Sequence, residues 1–449
     1  MKFNSVELDP NHLIFGFSRH PLRYGSNLEI GKGYVIPEIK YFPRTGRDPK
    51  EEFKAITEQV LKRAVSLGVD KLQLETEFTY VEMQVSTLPG EITRLQKDLI
   101  EKYSKEYGMN LALRVTVPDI RDFGKPKNDE DSFKKMMEAF EQVASNGADV
   151  LSIESEGGKE LFNYAIIRQD LLGIIAALGY LAVFDMKKLW REIVNIAKNK
   201  NVIAGGDSAC AFGNTSMRLA GGIRDNMISH SLAAIVRAMS ASRSLIAYEE
   251  GAVGPGKDCA YENVIIKAIT GYPMSLEGKT AACAHSSLVG NIVGAVCDLW
   301  SNEQVENIKL FGGYGPEVFL EILYYDTKMM NKAIRIGKQQ ELKSILVESD
   351  KYVDPQAYIL SPEVACEIGN SIVRGNSELS RTISCGIRAS SLIISEENLK
   401  LSKSEQRFLE IARTKLDDIY SDPEKKVEQA LSSYEQKIGK LKVKDYLEA

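Results

Sequence analysis

The chain has 449 residues, of which 44% are hydrophobic and 27% charged, and this composition is typical of a globular protein. Its formal net charge of −5 argues against nucleic acid as the main partner, because binding to phosphates needs an excess of Lys and Arg. The chain starts without a basic segment before an apolar core, and its longest apolar run, at 171–184, is too short to span a bilayer. We therefore expect no signal peptide, no membrane partner and a buried helix at 171–184.

The chain divides into an irregular beginning and a long repeating part. Residues 1–48 contain several prolines and are predicted to form an N-terminal strap. From residue 49 onwards one unit repeats: an amphipathic helix, a closing glycine, a short apolar strand and polar residues at the strand end. The first three predicted helices cover 51–68, 89–107 and 132–147. The predicted strands cover 69–77, 111–117, 148–155, 201–208, 243–251, 273–281 and 308–315.

This order of helices and strands is typical of βα units around a parallel sheet. We predict a (β/α)8 barrel of the TIM type over residues 49–330, with seven of its strands identified and the eighth not placed. A doubly wound sheet is the alternative fold. Residues 331–449 are predicted to form a helical C-terminal region that packs on the barrel.

Three polar side chains follow consecutive predicted strands. Glu154 ends the third strand, Cys210 in IAGGDSACAFGN follows the fourth, and Cys259 in VGPGKDCAYEN follows the fifth. Parallel strands of a barrel end at the same face, so these residues can meet at one point. Two thiolates and one carboxylate suit Zn²⁺ and leave a fourth position open for substrate. The pattern alone also allows both cysteines to be buried packing residues.

The other four cysteines are not predicted to be main metal ligands. Cys297, Cys366 and Cys385 lie in apolar, helix-like patterns and are expected in the core, while Cys283 with His285 forms a weaker ligand-like pair. Six cysteines in a large chain without a secretion signal are typical of a reducing compartment. We therefore expect a cytoplasmic protein with free thiols.

Several segments together resemble the methanol:corrinoid methyltransferase family, specifically its zinc-containing B subunit. They are LEIGKGYVIPEI, LETE, GADVLSIESEGGKELF, IAGGDSACAFGNTSM, the long block containing GAVGPGKDCAYEN, and DPQAYIL. The resemblance covers nearly the whole chain. It implies a barrel that binds one zinc ion per chain through Glu154, Cys210 and Cys259. It also implies methanol as substrate and a corrinoid carried by a separate small protein, hence a hetero-oligomer, and it leaves a homodimer open.

The implied reaction transfers the methyl group of methanol to Co(I) of the corrinoid. A ligand set of charge −3 on Zn²⁺ gives a centre of charge −1, which suits binding an alcohol oxygen and polarising its C–O bond. Hydroxide is a poor leaving group, so a proton donor is needed. The candidates are Asp207, Asp258, Asp170, Glu75 and Glu77, and the sequence does not choose among them.

One residue departs from the family pattern. Ala209 stands directly before Cys210, where the family is expected to carry an acidic residue. This leaves open a methoxylated aromatic compound or another O-methyl donor as the substrate of the same mechanism. A barrel scaffold without catalytic activity is the remaining alternative.

Overall fold

The computed structural model describes residues 2–43, 48–122, 129–221, 227–257, 259–285 and 287–447. The strands of the described residues are β1 (Phe17–Tyr24), β2 (Leu28–Lys32), β3 (Ile36–Phe42), β4 (Lys71–Glu77), β5 (Asn110–Pro118), β6 (Val150–Glu154), β7 (Ile203–Asp207), β8 (Ser275–Glu277), β9 (Leu299–Ser301), β10 (Val305–Glu306), β11 (Lys309–Leu310) and β12 (Gly313–Tyr314).

The α-helices are α1 (Pro49–Leu67), α2 (Leu88–Tyr107), α3 (Glu130–Ser145), α4 (Lys159–Ile167), α5 (Leu171–Ala176), α6 (Ala182–Lys200), α7 (Cys210–Gly221), α8 (His230–Glu250), α9 (Asn263–Thr270), α10 (Lys279–Ala284), α11 (Gly290–Gly294), α12 (Gly315–Arg335), α13 (Gln339–Asp350), α14 (Pro355–Tyr358), α15 (Pro362–Val373), α16 (Glu378–Ser395), α17 (Lys403–Tyr420), α18 (Pro423–Lys437) and α19 (Lys444–Leu447). A π-helical segment (Ala177–Leu181) joins α5 to α6.

Seven parallel strands form a curled sheet in the order β7-β6-β5-β4-β3-β9-β8. The chain between α8 and α9 fills the gap between the two outer strands of this order. The amide of Val253 donates to the carbonyl of Ala204 on β7, while Gly256 donates to Pro273 and accepts from Ser275 beside β8. The sheet therefore closes on itself, and the predicted TIM-type barrel is confirmed, with the Gly-rich segment in the eighth strand position.

A hairpin of β1 and β2 covers the amino ends of the barrel strands. Leu28 and Ile30 of this hairpin pack with Ile36, Ala112 and Leu299, which lie at or near the starts of β3, β5 and β9. This small apolar cluster closes one end of the barrel. The carboxyl ends of the strands, where barrel enzymes place their active sites, form the other end, called the mouth below.

Two of the predicted barrel strands are wrong. Residues 243–251 belong mainly to helix α8. This helix is buried on all sides over most of its length, so its sequence lacks the polar face that marks a surface helix. The short apolar run at 245–248 cannot be distinguished from a buried strand by periodicity. Residues 308–315 form the hairpin of β11 and β12, which follows β10 and lies outside the barrel order.

The barrel strands that the sequence did not reveal are β3 and β9. Strand β3 lies within residues 1–48, so the prediction of an irregular segment is wrong for the three strands found there. Its charged residues Glu38 and Lys40 are buried inside the barrel, where they have ionic partners, and so hide the strand in a hydropathy pattern. Strand β9 is only three residues long. The division of the chain at residues 48 and 330, the second of which falls within α12, stays a prediction.

The remaining helices cover the barrel as expected. The apolar run at 171–184 forms α5, the π-helical segment and the start of α6, and most of its residues are buried. In the C-terminal region, α15 packs on α9, α16 on α8 and α18 on α5. Among the described helices, none combines the length and hydropathy that a membrane span requires.

Candidate metal centre at the barrel mouth

Three potential ligands from distant parts of the chain meet at the mouth. Glu154 is the last residue of β6, Cys210 is the first residue of α7, and Cys259 precedes α9. A carboxylate oxygen of Glu154 and the two Sγ atoms all lie within 4.8 Å of one another. The thiol of Cys259 donates to Oε1 of Glu154 at 2.6 Å. The structure thus brings together the three residues selected from the sequence.

The end of strand β7 depends on a glycine. Gly206 has φ of 138°, and a Cβ atom at this position would lie 2.6 Å from the hydroxyl oxygen of Tyr248. A larger residue would therefore be strained and would collide with α8. This close approach fixes the path of the chain that leads to Cys210.

The cluster has the size and chemistry of a zinc site. Zn–S bonds of about 2.3 Å at the tetrahedral angle place two sulfur atoms about 3.8 Å apart, which is within the 4.8 Å span of the three ligand atoms. Two sulfurs and one carboxylate oxygen leave one tetrahedral position for a substrate. Glu154, Cys210 and Cys259 therefore fit a catalytic type of zinc site, and metal binding by them stays a prediction.

Two buried lysines lie beside the ligand set. Nζ of Lys257 is 2.9 Å from Oε1 of Glu154 and 3.3 Å from Sγ of Cys259. Nζ of Lys40 is 3.7 Å from the same sulfur and forms an ion pair with Glu277. Both ammonium groups are almost completely buried, so their charges act in a region of low dielectric constant.

The ionisation of the ligands follows from these neighbours. Burial opposes the charged form of Glu154, but Lys257 and Lys40 lower its pKa to about 2. A hydrogen bond with Cys259 lowers the pKa of Cys210, yet burial and the Glu154 carboxylate outweigh it and raise this pKa to about 12. The same pair interaction, together with burial, raises the pKa of Cys259 well above its usual value. A bound dication reverses this preference, because a coordinating thiol loses its proton.

Two of the five proposed proton donors lie at the mouth, both on β4. Glu75 is fully buried, accepts from the hydroxyl of Thr116 at 2.8 Å and lies 3.4 Å from Nζ of Lys257. Despite its burial, Lys257 and Arg114 lower the pKa of Glu75, which favours the ionised form. Glu77 lies farther out, with its Oε2 atom 4.0 Å from Nζ of Lys257 and 17% of its side chain exposed.

The surroundings of Glu77 make it the carboxyl group that can carry a proton near neutral pH. Burial, assisted by the charge of Glu154, raises its pKa to about 7, although Lys257 opposes this. A general acid works best when its pKa is near the working pH. Glu77 therefore combines access from the mouth with the ionisation behaviour of a proton donor.

The other three candidates are not placed at the ligand cluster. Asp207 is fully buried and accepts hydrogen bonds from the hydroxyl of Ser155 and from Nε1 of Trp190. These two hydrogen bonds connect neighbouring elements and are structural. Asp170 caps the start of α5 and accepts from the hydroxyl of Tyr434 in the C-terminal region. Asp258 lies outside the described residues.

The loop that carries Cys210 is held by buried polar groups. The amide of Ala209 donates to Oε1 of Glu262 at 2.7 Å, and the hydroxyl of Ser244 donates to the same oxygen. One turn into α7, Nδ2 of Asn214 donates to Sγ of Cys210 at 3.1 Å. A carboxylate supplied from the start of α9 thus supports the residue before the ligand cysteine.

Sequence reasoning missed the lysines and Asn214 for different reasons. Lys257 lies two residues before Cys259, so a cation within a Gly-rich turn beside a ligand was a usable signal. Lys40 gave none, because its strand was not recognised. Asn214 is four residues after Cys210, a spacing that places both on one face of a helix and that could have indicated the contact.

The remaining cysteines follow the predictions in part. Cys297, Cys366 and Cys385 are buried, as expected for packing residues. Cys283 is exposed, and its neighbour His285 pairs with Glu303 at 3.2 Å. Among the described residues, Glu154, Cys210 and Cys259 form the one group of three or more potential ligands close enough to share a metal ion.

Fold and site together define a class: a TIM-type barrel with a Glu-Cys-Cys cluster at the carboxyl ends of its strands. Residues 1–447 match the family described as the methanol-cobalamin methyltransferase B subunit (MtaB), and the chain belongs to this family. The resemblance inferred from the sequence motifs is therefore confirmed.

Two similar proteins come from Methanosarcina barkeri. The chain is 41% identical over 449 residues to a methanol–corrinoid protein co-methyltransferase, with 97% of this chain and 96% of that protein covered. It also superimposes on a chain in the crystal structure of the methanol:cobalamin methyltransferase complex MtaBC with a TM-score of 0.95. That match has 41% identity and covers 98% of each chain.

Proposed function

We propose that this protein is a methanol:corrinoid protein co-methyltransferase, which transfers the methyl group of methanol to Co(I) of a corrinoid on a partner protein. The observation that carries the proposal is the convergence of Glu154, Cys210 and Cys259 at the barrel mouth. The full-length match to the co-methyltransferase of M. barkeri supports both the substrate and the type of partner.

The ligand cluster is proposed to hold one zinc ion per chain. When bound, zinc supplies a Lewis acid for the methanol oxygen. Glu154 and the two thiolates provide the ligands, and the hairpin of β1 and β2 closes the opposite end of the barrel. Methanol and the corrinoid therefore both have to approach the cluster from the mouth.

Glu77 is proposed to protonate the departing oxygen as the C–O bond breaks. Its place at the end of β4 and its pKa of about 7 support this role over that of Glu75, whose pKa is lowered. The methyl group passes to cobalt with the bonding electrons supplied by Co(I), and oxygen leaves as water once it has received the proton. The proton donor is then regenerated from solvent at the mouth.

The packing around Ala209 leaves no added space beside the ligand Cys210. Ala209 has no accessible surface, so no water-sized space adjoins the methyl group that replaces the expected acidic side chain. The departure from the family pattern therefore does not by itself enlarge the pocket for an aromatic methoxy donor. Ala209 therefore gives no support to the alternative donor.

The substrate assignment is tested by supplying the protein with its reduced corrinoid partner and either methanol or a methoxybenzoate. We expect methyl-Co(III) to form from methanol, and its formation is measured under anaerobic conditions as the simultaneous loss of the Co(I) spectrum. Faster formation from the aromatic ether would favour the alternative donor and leave the metal mechanism intact. No methyl transfer from any O-methyl donor, together with no bound metal, would favour the scaffold alternative.

The corrinoid protein is proposed to dock over the mouth, because the methyl carbon and cobalt must approach within about 3–3.5 Å. The hairpin of β11 and β12 lies at this rim, since β10, which precedes it, pairs with the carboxyl end of β3 at Tyr41 and Phe42. The tip residue of the hairpin, Phe311, is fully exposed, and Leu310 beside it is also exposed. Exposed aromatic residues are frequent anchors in protein interfaces.

Phe311→Ser is therefore expected to weaken the complex with the corrinoid protein. Loss of a buried Phe contact costs about 1.5–3 kcal/mol, which corresponds to an increase in Kd of about 10- to 100-fold. Tyr107→Ser is the matched control, because Tyr107 is exposed at the end of α2, next to the amino end of β5 and opposite the mouth. Equal Kd values for the Phe311 variant and the unmodified protein would exclude the hairpin from the interface.

A further inference from the structure

Lys257 lies beside the metal ligands but has no role in the proposed mechanism. Its ammonium group has no accessible surface and contacts two ligands, Glu154 at the end of β6 and Cys259 in the segment before α9. Nζ lies 2.9 Å from Oε1 of Glu154 and 3.3 Å from Sγ of Cys259, closer than to Glu75 at 3.4 Å or Glu77 at 4.0 Å. Its positive charge therefore acts on two of the three metal ligands and is shared with the carboxylate of Glu75.

We infer that Lys257 is a positioning residue whose buried charge offsets the negative charge of the ligand set and so strengthens the pull of the zinc centre on the substrate oxygen. Glu154, Cys210 and Cys259 bring a charge of −3, which leaves −1 beside a zinc dication. The adjacent ammonium of Lys257 offsets part of this negative charge. The inference rests on the proposed zinc site and adds a role for a residue that is not itself a ligand.

The hydrogen bonds to sulfur point in the same direction. The sulfur of Cys259 accepts a hydrogen bond from the ammonium group of Lys257 and a longer one from that of Lys40. The sulfur of Cys210 accepts a hydrogen bond from Nδ2 of Asn214. A donor to a thiolate draws electron density away from the sulfur, which then gives less to the metal. Groups that contact the ligands in this way commonly change metal affinity or activity about 10- to 100-fold.

Lys40 provides an internal comparison. Its Nζ atom is farther from Sγ of Cys259, at 3.7 Å, and its charge is already offset by the ion pair with Glu277. The effect of Lys40 on the ligand set should therefore be weaker than that of Lys257. If the charge acts on the ligands, replacing Lys257 should have a larger effect than replacing Lys40. A general loss of packing would not produce this difference.

The experiment replaces zinc with Co²⁺ and follows the thiolate-to-cobalt charge-transfer band in Lys257→Met. Removing the donor raises the energy of the sulfur electrons, so the band should move to longer wavelength. The variant should still bind one metal ion per chain, because a repulsive positive charge has been removed. Methyl transfer from methanol should fall about 10- to 100-fold. Lys40→Met should give a smaller shift in the same direction.

Lys267→Met is the matched control for burial of a lysine. Lys267 is also buried and pairs with Asp298 at 2.8 Å, but it also donates to the carbonyls of Ile14 and Val296, away from the ligand cluster. Its band position should equal that of the unmodified protein. If Lys257→Met does not fold, Lys257→Gln carries the same test, because it removes the charge and keeps an N–H donor; a smaller shift to longer wavelength is then expected.

Distinct outcomes separate this inference from the proposed function. An unchanged band in a folded, metal-loaded Lys257 variant overturns the inference, and so does loss of the metal, which would make Lys257 an organiser of the ligands instead. Absence of a thiolate-to-cobalt band in the unmodified protein would instead overturn the zinc site itself.

Discussion

Cys210→Ala and Cys259→Ala should each remove the zinc that the unmodified protein holds at about one ion per chain. Three protein ligands are proposed, and the loss of one leaves too few to hold the ion, so metal content measured after dialysis should approach zero. Methyl transfer from methanol should fall with it, because the substrate oxygen then has no Lewis acid to bind. This is the largest effect expected for any single substitution in the chain.

Cys297→Ala is the matched control for the loss of a buried thiol. Its sulfur is fully buried and donates to the carbonyl of Gly294, outside the ligand cluster. The variant should keep its zinc and its activity, with a modest loss of stability from the small cavity. Full zinc retention after removal of both Cys210 and Cys259 would show that the metal, if present, is bound elsewhere.

Glu77→Gln should lower kcat by about 10²–10⁴-fold, the usual contribution of a general acid. The amide keeps the shape of the protonated carboxyl group but cannot give up a proton. Zinc content should stay at the level of the unmodified protein, because Glu77 is not a proposed ligand. Asp170→Asn is the control, since Asn also caps a helix well and Asp170 lies with the C-terminal helices.

The pH dependence gives an independent check on Glu77. Its pKa is raised to about 7 by burial, so the proton needed for the reaction is present at lower pH and lost as pH rises through this value. Activity should therefore fall as pH rises through about 7. The decline should disappear in Glu77→Gln. Its persistence in that variant would assign the proton to another group.

Different neighbours explain why the carboxyl groups of β4 differ in pKa. Glu75 and Glu77 lie on the same strand, yet Lys257 and Arg114 lower the pKa of the first, while burial raises the pKa of the second. Neighbouring carboxyl groups with opposite shifts can take different roles in one reaction. Here Glu75 balances the positive charges of Lys257 and Arg114, and Glu77 is available to carry a proton.

The βα pattern of the sequence was enough to predict the barrel and to place Glu154, Cys210 and Cys259 at one end of it. In consecutive βα units the connectivity forces every strand to end at the same face, so residues that follow strands meet without any knowledge of contacts. The predicted strand at 243–251 was wrong, yet Cys259 still follows a barrel position, because the segment beside Val253 occupies the eighth place.

Only the tertiary structure decided which charged groups surround the ligands. Lys40 on β3 and Glu277 on β8 are far apart in the chain, and their strands lie on either side of β9 in the closed sheet. Their pairing allows both charges to be buried. A sequence reports the charge of such residues but not their partners, so it predicts exposure where the fold provides an ion pair. For the same reason the choice of Glu77 among five carboxyl groups depended on burial and on its distance from Lys257, which the order of residues does not contain.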